Sequence, residues 1–213
     1  MNPWLTEGDA WFRRNQKALE TAAERDWALR LIERNGLQPQ RVLEGGCANG
    51  WRLAELHKRY GCFGQGIDVS AAAIEAAPHH PDLIFYQEAI HEMGYFDFDL
   101  VICYFVLHWV DRDRLVASLS ALDRAGKDGG YLLIGDFLPD TPTKVPYHHR
   151  EGLWTWKADY AGIFLATGNY RLIDKIIFDH DTGEEGDMSI PVDRRAVVSL
   201  LRKEGCYQEA VRP

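Results

Sequence analysis

The sequence lacks any hydrophobic stretch long enough to cross a bilayer. Its longest uninterrupted apolar run is Leu100–Leu107, whereas a membrane-spanning helix needs about 20 residues. The N-terminal segment, with Glu7, Asp9 and the pair Arg13 and Arg14, lacks the apolar core of a secretory signal peptide. There is also no internal repeat and no low-complexity segment. We therefore expect a cytoplasmic protein that does not associate with membranes.

Cysteine and positive charge are also scarce. The four cysteines show neither a C-x-x-C pair nor metal-site spacing, which indicates reduced thiols and no metal; they are Cys47, Cys62, Cys103 and Cys206. Lysine and arginine number 24 against 32 acidic residues, so the formal net charge is −8. Such a surface repels polyanions, which argues against a nucleic-acid partner.

What the chain does contain is enough material for one large domain. It has 213 residues, of which 46% are hydrophobic and 26% are charged, and this composition is typical of a globular protein with a sizeable core. We therefore expect a single domain over residues 1–213, as a monomer or a homodimer.

The most informative stretch is Arg41–Trp51, RVLEGGCANGW. A short apolar run is followed by Glu44, by a glycine-rich turn and by the amphipathic run Arg52–Tyr60, which predicts the strand, turn and helix of an open α/β nucleotide site. A dinucleotide loop requires G-x-G-x-x-G, but Cys47 takes the place of the middle glycine and Glu44 would repel a phosphate. The turn therefore favours a cationic, phosphate-free ligand and disfavours a nicotinamide-dependent oxidoreductase.

The segment LEGGCANG resembles the first motif of class I S-adenosylmethionine-dependent methyltransferases, E/D-x-G-x-G-x-G, with Glu44, Gly46 and Gly50 in register. Ala48 stands where the family usually has glycine. A small side chain serves the same purpose there unless the position needs a positive φ, so we interpret Ala48 as a tolerated variation. The resemblance implies a Rossmann-like α/β fold with a seven-stranded, mostly parallel sheet, an antiparallel last strand and helices on both faces.

The second and third strands carry further acids. Phe63–Asp68 ends in a carboxylate 18 residues beyond Gly50, where Asp68 can accept hydrogen bonds from both ribose hydroxyls of an adenosine. Alternatively, Asp68 begins the next helix as a cap together with Ser70. The third strand, Leu83–Tyr86, runs into Glu88, Ala89 and Ile90, which the resemblance places against the adenine ring. The resemblance covers residues 41–203 and implies a fuller set of cofactor-binding residues: Trp11, Arg14, Glu44, Gly45, Gly46, Cys47, Asn49, Gly50, Asp68, Val69, Ser70, Glu88, Ala89, Ile90, Cys103 and Tyr104.

Hydrophobic periodicity and turn residues predict the remaining elements. Residues 1–36 are predicted to form a loop and then one long helix that ends at Gly36, residues 41–137 the cofactor-binding core, and residues 169–213 the closing strands. Within these segments we expect a fourth strand at Phe96–Leu107, a helix at Arg112–Ala125 capped by Asp111, a turn at 128–130, and strands at Tyr131–Phe137, Tyr170–Asp179 and Val192–Arg202.

The resemblance also implies that residues 1–36 fold over the cofactor as a lid. Trp11 would then cover the ligand, and Arg14 or Asn15 would reach its carboxylate. An equally simple interpretation is that Trp11 and Phe12 pack this helix onto the domain.

Residues 138–168 are unusually rich in cations and aromatic rings. In the family, this insertion builds the acceptor pocket, and its composition suits a small acceptor with a carboxylate or phosphate. Predicted substrate-binding residues are Asp136, Tyr147, His148, His149, Arg150, Trp154, Lys157 and Tyr160. Candidate general bases are His148, His149 and, after the fourth strand, His108. Adjacent histidines point apart, so we expect no shared metal. Alternatively, the insertion is an aromatic helix packed on the sheet with its cations in water.

These observations predict an S-adenosylmethionine-dependent methyltransferase that acts on an oxygen or nitrogen atom of a small, anionic metabolite such as a sugar or a natural-product intermediate. A different class of function also fits the fold, namely a catalytically inactive, methyltransferase-like binding module that acts with a partner subunit. The complete cofactor signature argues against it, because such a module needs neither Glu44 nor Asp68.

Overall fold

A computed structural model describes residues 3–205, with side chains from residue 7 onward. The helices are α1 (Pro3–Leu19), α2 (Trp27–Arg34), α3 (Trp51–Tyr60), α4 (Ala71–Glu75), α5 (Leu115–Ala125) and α6 (Tyr160–Ala166). The strands are β1 (Arg41–Gly45), β2 (Phe63–Asp68), β3 (Leu83–Gln87), β4 (Phe98–Tyr104), β5 (Gly126–Phe137), β6 (Thr143–Pro146), β7 (Trp154–Lys157), β8 (Tyr170–Asp179), β9 (Glu185–Gly186) and β10 (Arg195–Lys203). Among these helices, none is long and apolar enough to span a membrane. Cys206 lies outside the described residues.

The main sheet has the strand order β3-β2-β1-β4-β5-β10-β8-β9. Strands β1 to β5 pair in parallel, and β10 pairs antiparallel with both β5 and β8. The predicted α/β fold, with its mostly parallel sheet and its antiparallel last strand, is therefore confirmed. The two-residue strand β9, which pairs with β8, adds an eighth strand to the seven that were predicted.

Apolar layers cover both faces of the sheet because successive residues of a strand point to opposite sides. Val42 of β1 packs with α2 and α3 in one layer. Its neighbour Leu43 packs with α5 and α6 in the other. Both side chains are fully buried, as expected for a central parallel strand. The helices on the two faces leave the carboxyl ends of β1, β2 and β4 facing a cavity.

The N-terminal segment differs from the prediction of a loop and one long helix. It forms α1, a 3-10 turn at Ala22–Glu24 and then α2. Asp26 starts α2 by accepting a hydrogen bond from the Leu29 N–H at 2.8 Å, the usual role of an aspartate at this position. This cap explains why a new helix begins here although the apolar spacing is continuous.

The end of β4 and the start of α5 also differ from the prediction. Strand β4 ends at Tyr104 rather than Leu107, because Phe105 has a φ of 57° and turns the chain out of the sheet. Helix α5 begins at Leu115 rather than Arg112, and the Asp111 side chain does not cap it. Instead, the Asp111 carbonyl accepts the Arg114 N–H at 2.9 Å.

The predicted turn at 128–130 lies inside β5 as an irregularity. Phe98 of β4 pairs with Gly126, but Leu100 already pairs with Tyr131, and Gly129 has a φ of 76°. The insertion that follows β5 is not an aromatic helix alone. Strands β6 and β7 form a separate antiparallel hairpin, which lies against the turn at Leu107–Trp109, and the short helix α6 completes the segment.

Candidate active site

A cavity of about 460 Å³ opens beneath α1 at the carboxyl ends of the parallel strands. This is the edge at which open α/β sheets bind ligands. Of the predicted cofactor-binding residues, those that line it are Trp11, Gly46, Cys47, Asp68, Val69, Ser70, Glu88, Ala89, Ile90 and Tyr104.

The turn after β1 approaches the cavity because its glycines allow left-handed backbone. Gly46 and Gly50 have φ values of 76° and 70°, and a Cβ atom at Gly50 would lie 2.2 Å from the Phe85 ring. Ala48 also has a positive φ, 49°. The interpretation of Ala48 as a tolerated variation assumed that this position does not need a positive φ; that assumption is wrong, and a positive φ is unfavourable for a residue with a Cβ atom.

Asp68 lies at the tip of β2 and faces the cavity. Its carboxylate accepts the Ala48 N–H at 2.9 Å and the Ser70 N–H at 2.8 Å. Burial raises the pKa of Asp68, and these two N–H groups oppose the rise. The alternative capping role belongs to Ser70, whose hydroxyl accepts the Ala73 N–H at 3.1 Å. Each Asp68 oxygen accepts one backbone N–H here and keeps a lone pair for a ligand.

Glu44 does not line the cavity. It is fully buried and binds the Arg52 guanidinium, which also binds Asp26 at 2.9 Å. Burial raises the pKa of Glu44 to about 7 against the opposing effect of Arg52. Arg52 and Asp26 both line the cavity, and the guanidinium lies 4.7 Å from the Tyr104 ring centroid. In this structure Glu44 therefore fixes Arg52 at the cavity wall.

Helix α1 closes one side of the cavity. Trp11 lines it and makes an edge contact with Trp109, their ring centroids being 5.8 Å apart. Arg14 instead forms a salt bridge with Glu7 and donates a hydrogen bond to the Tyr147 hydroxyl at 2.8 Å. The Asn15 amide donates to the Trp11 carbonyl at 2.9 Å. Arg14 thus attaches α1 to Tyr147, whereas the Asn15 amide is hydrogen-bonded within α1 itself.

The other predicted cofactor-binding residues do not line the cavity. Gly45 ends β1, Asn49 and Gly50 complete the turn, and Cys103 is buried in β4. Burial also raises the pKa of the Cys47 and Cys103 thiols, so neither is expected to be a reactive thiolate.

The family comparison agrees with this geometry. Residues 42–130 match the family model described as a methyltransferase domain. The predicted recognition as a class I methyltransferase is thereby confirmed. No curated protein matches the chain in sequence.

Solved structures, two of which are named as methyltransferases, share the fold of this chain. The 1,6-didemethyltoxoflavin-N1-methyltransferase of Burkholderia thailandensis is 16% identical with a TM-score of 0.72, over 95% of this chain and 88% of that chain. The N-methyltransferase NodS of Bradyrhizobium japonicum is 18% identical with a TM-score of 0.61, over 96% and 93%. A structure from echinomycin biosynthesis is 21% identical with a TM-score of 0.58, over 84% and 82%.

The predicted substrate-binding residues do not line the cavity. Tyr160 is fully buried in the core and donates to the Trp156 carbonyl at 2.5 Å. The Tyr147 hydroxyl donates a hydrogen bond to Glu7 and accepts one from Arg14. Asp136 is buried, with one carboxylate oxygen 3.0 Å from Nδ1 of His108. These three side chains are buried and make contacts outside the cavity lining.

The remaining insertion residues lie on or near the hairpin. Lys157 Nζ is 3.9 Å from the Phe137 ring centroid, and Trp154 stacks beneath Lys144 at 4.4 Å. The exposed rings of His148 and His149 are 3.9 Å apart, and Arg150 follows in the same turn. Burial lowers the pKa of Lys157, while slight burial and then Arg14 lower the pKa of His149.

Further residues that were not predicted also line the cavity. Phe105, Phe178 and His180 line it, and the His180 ring lies 5.1 Å from that of Phe105. His180 follows β8, far along the chain from the motifs, so no local pattern identifies it. Within the described residues, buried Trp27 Nε1 and Ser118 Oγ have no hydrogen-bond partner, and both residues line the cavity. A polar ligand would satisfy such groups.

Proposed function

We propose that this chain transfers the methyl group of S-adenosylmethionine to an oxygen or nitrogen atom of a small metabolite. One observation carries the proposal: the glycine turn after β1 and the Asp68 carboxylate at the tip of β2 line the same cavity. The Burkholderia and Bradyrhizobium structures both contain bound S-adenosylhomocysteine, which supports the same cofactor here.

The lining residues fit this cofactor in kind. Asp68 would accept the ribose hydroxyls, and Glu88, Ala89 and Ile90 would flank the adenine, as the motifs imply. Trp11 would cover the ligand from α1. When bound, S-adenosylmethionine supplies a methyl group on a sulfonium centre. The chain's own contribution is to hold the acceptor atom in line with that group and to exclude water.

The acceptor side of the cavity favours a flat, partly aromatic molecule. Trp109, Phe105 and His180 present rings there, and rings of this kind bind planar ligands through stacking and edge contacts. The Burkholderia structure has 1,6-didemethyltoxoflavin bound, and the echinomycin structure comes from a biosynthetic pathway; both support a natural-product intermediate. An anionic group on the acceptor would find Arg25 and Arg114 at the cavity wall rather than the cations of the insertion.

His180 is the first candidate for a general base, because its imidazole lines the cavity whereas those of His108, His148 and His149 do not. It would accept the proton of an acceptor hydroxyl as the new bond forms, or the proton of a protonated amine before that bond forms. With an acceptor that needs deprotonation, His180→Gln should lower kcat by about 100-fold, while the doubly substituted His148→Ala, His149→Ala protein should keep its rate. The reverse result would return the role to the hairpin.

Calorimetric titration with S-adenosylmethionine and S-adenosylhomocysteine tests the cofactor. Asp68→Asn should weaken binding by about 1–3 kcal/mol, the effect of losing hydrogen bonds to a charged group. The exposed Asp113 provides a matched Asp113→Asn control, which should bind like the unchanged protein. A folded protein that binds neither compound would contradict the proposal.

A further inference from the structure

A second cluster of ligand-type side chains lies away from the cavity. His57 is in the last turn of α3, and His80 and Asp82 are in the segment before β3. One ligand atom from each lies within 4.8 Å of the other two, and the two imidazole centroids are 4.2 Å apart. None of the three residues lines the cavity. We propose that His57, His80 and Asp82 form a binding site for a transition-metal dication such as Zn²⁺.

His57 is already oriented as a metal ligand. Its Nδ1 lies 2.8 Å from the Cys62 carbonyl oxygen, so this nitrogen carries the proton and donates it to the carbonyl. The lone pair then resides on Nε2. Metal-bound histidines usually have this arrangement, in which a hydrogen bond from one ring nitrogen to a carbonyl fixes the tautomer and the direction of the other.

The backbone of the second ligand segment is also constrained. Pro78 and Pro81 flank the histidines, and the His80 carbonyl accepts the Leu83 N–H at 3.1 Å. Nδ1 of His80 accepts the Asp82 N–H at 3.2 Å and lies 3.9 Å from an Asp82 carboxylate oxygen. A metal ion at this nitrogen would therefore replace one long hydrogen bond.

The donor set decides which ion fits. Two imidazole nitrogens and one carboxylate oxygen suit Zn²⁺, Ni²⁺ or Cu²⁺ rather than Mg²⁺ or Ca²⁺. Zinc bonds of about 2.0–2.2 Å require the three atoms to draw closer together than 4.8 Å. The side chains of His80 and Asp82 are 40% and 59% exposed, so rotation about their side-chain bonds can bring them in. Water would complete the coordination.

Such an ion would join the end of α3 to the chain entering β3, the outermost strand on its side of the sheet. The site therefore acts on the stability of this edge, and no step of methyl transfer passes through it. An ion that binds the folded chain alone raises the thermal midpoint, and the rise grows with the logarithm of the free metal concentration once that concentration exceeds Kd.

Calorimetric titration of the untagged 213-residue chain with Zn²⁺ tests the site. A parallel titration with Co²⁺ is followed by absorption. We expect one equivalent to bind and to raise the Tm. His80→Ala and Asp82→Asn should each weaken binding at least about tenfold and abolish the rise in Tm. Both positions are exposed, so the variants should fold.

The neighbouring exposed residue His79 is the matched control, because it does not belong to the cluster. His79→Ala should leave the affinity within about twofold of the unchanged protein. The proposal is overturned if Zn²⁺ does not bind, or if it binds equally to the His80→Ala and Asp82→Asn variants. Binding that is lost instead in the His148→Ala, His149→Ala protein would move the site to the hairpin and overturn the proposal as well.

Discussion

At the scale of single residues, Ala48 has a left-handed backbone conformation that is unfavourable for alanine. Its φ of 49° costs an L-residue about 1–2 kcal/mol. Ala48→Gly should therefore raise the free energy of unfolding, by about 1 kcal/mol after the greater entropy of unfolded glycine is deducted. Urea unfolding at fixed pH measures the change.

The control for Ala48→Gly is Ala54→Gly in the interior of α3. That change should destabilise the protein by about 1 kcal/mol, because glycine is unfavourable inside a helix. If both variants lose stability alike, the left-handed backbone at residue 48 carries no strain.

Glu44 makes stability depend on pH. Its pKa rises from 4.5 to about 7 in the folded protein, so the folded state holds a proton that the unfolded state has already lost. The Glu44 contribution to the free energy of unfolding is therefore greatest below pH 4.5 and falls as the pH rises to about 7. Glu44→Gln should show a smaller fall than the unchanged protein when unfolding is measured at pH 5 and pH 7.5.

Glu75, an exposed residue of α4, provides the comparison for Glu44. Glu75→Gln should keep the full pH dependence of the unchanged protein. Parallel curves for Glu44→Gln and the unchanged protein would show that Arg52 keeps Glu44 ionised throughout this range, in which case burial is not the dominant effect.

The sequence identifies individual residues best where a motif is local. Asp68 was predicted from its position after β2, and the structure puts it at the cavity. His180 was missed because it reaches the same cavity only after β8 has been placed in the sheet. The insertion histidines show the opposite case. The composition of the insertion suggested that they act as general bases, but the hairpin holds them outside the cavity.

At the scale of elements, α1 is attached to the hairpin through the Tyr147 hydroxyl. This hydroxyl accepts from Arg14 at 2.8 Å and donates to Glu7 at 3.0 Å. Tyr147→Phe removes both hydrogen bonds, each worth about 1 kcal/mol. The amides of α1 should then exchange with solvent at least about fivefold faster, as measured by hydrogen–deuterium exchange.

Tyr131, whose side chain packs against the core, is the control for this attachment. Tyr131→Phe should leave exchange in α1 unchanged. If Tyr147→Phe also leaves it unchanged, packing of Trp11 on Trp109 is sufficient to hold the helix, and a lid that opens through the loss of these hydrogen bonds is ruled out.

Elements were predictable where burial follows a regular period. Strands β2 and β8 have the predicted bounds, and β1 begins one residue before its apolar run, at Arg41. The hairpin of β6 and β7 was missed because all residues of its two strands are exposed or half-buried, so no alternation of buried and exposed positions marks them. The end of β4 was missed because its apolar sequence continues through Phe105, where only the backbone φ changes.

At the scale of the whole molecule, we predict one cooperative unfolding transition. Strand β10 joins β5 to β8, so the part of the chain that carries the cofactor motifs and the closing strands share one sheet. Tryptophan fluorescence and far-ultraviolet circular dichroism should therefore give coincident urea transitions. Two separated transitions would instead indicate two independent domains and contradict the single-domain prediction.

The antiparallel pairing of β10 also sets an order of events during synthesis. The ribosome delivers β8 before β10, yet β8 reaches the main sheet only through β10. Until β10 emerges, β5 has a bare edge and β8 has only the two-residue β9 as a partner. Unpaired strand edges promote aggregation, so the nascent chain is most vulnerable between the emergence of β8 and that of β10, and chaperone binding should concentrate in that interval.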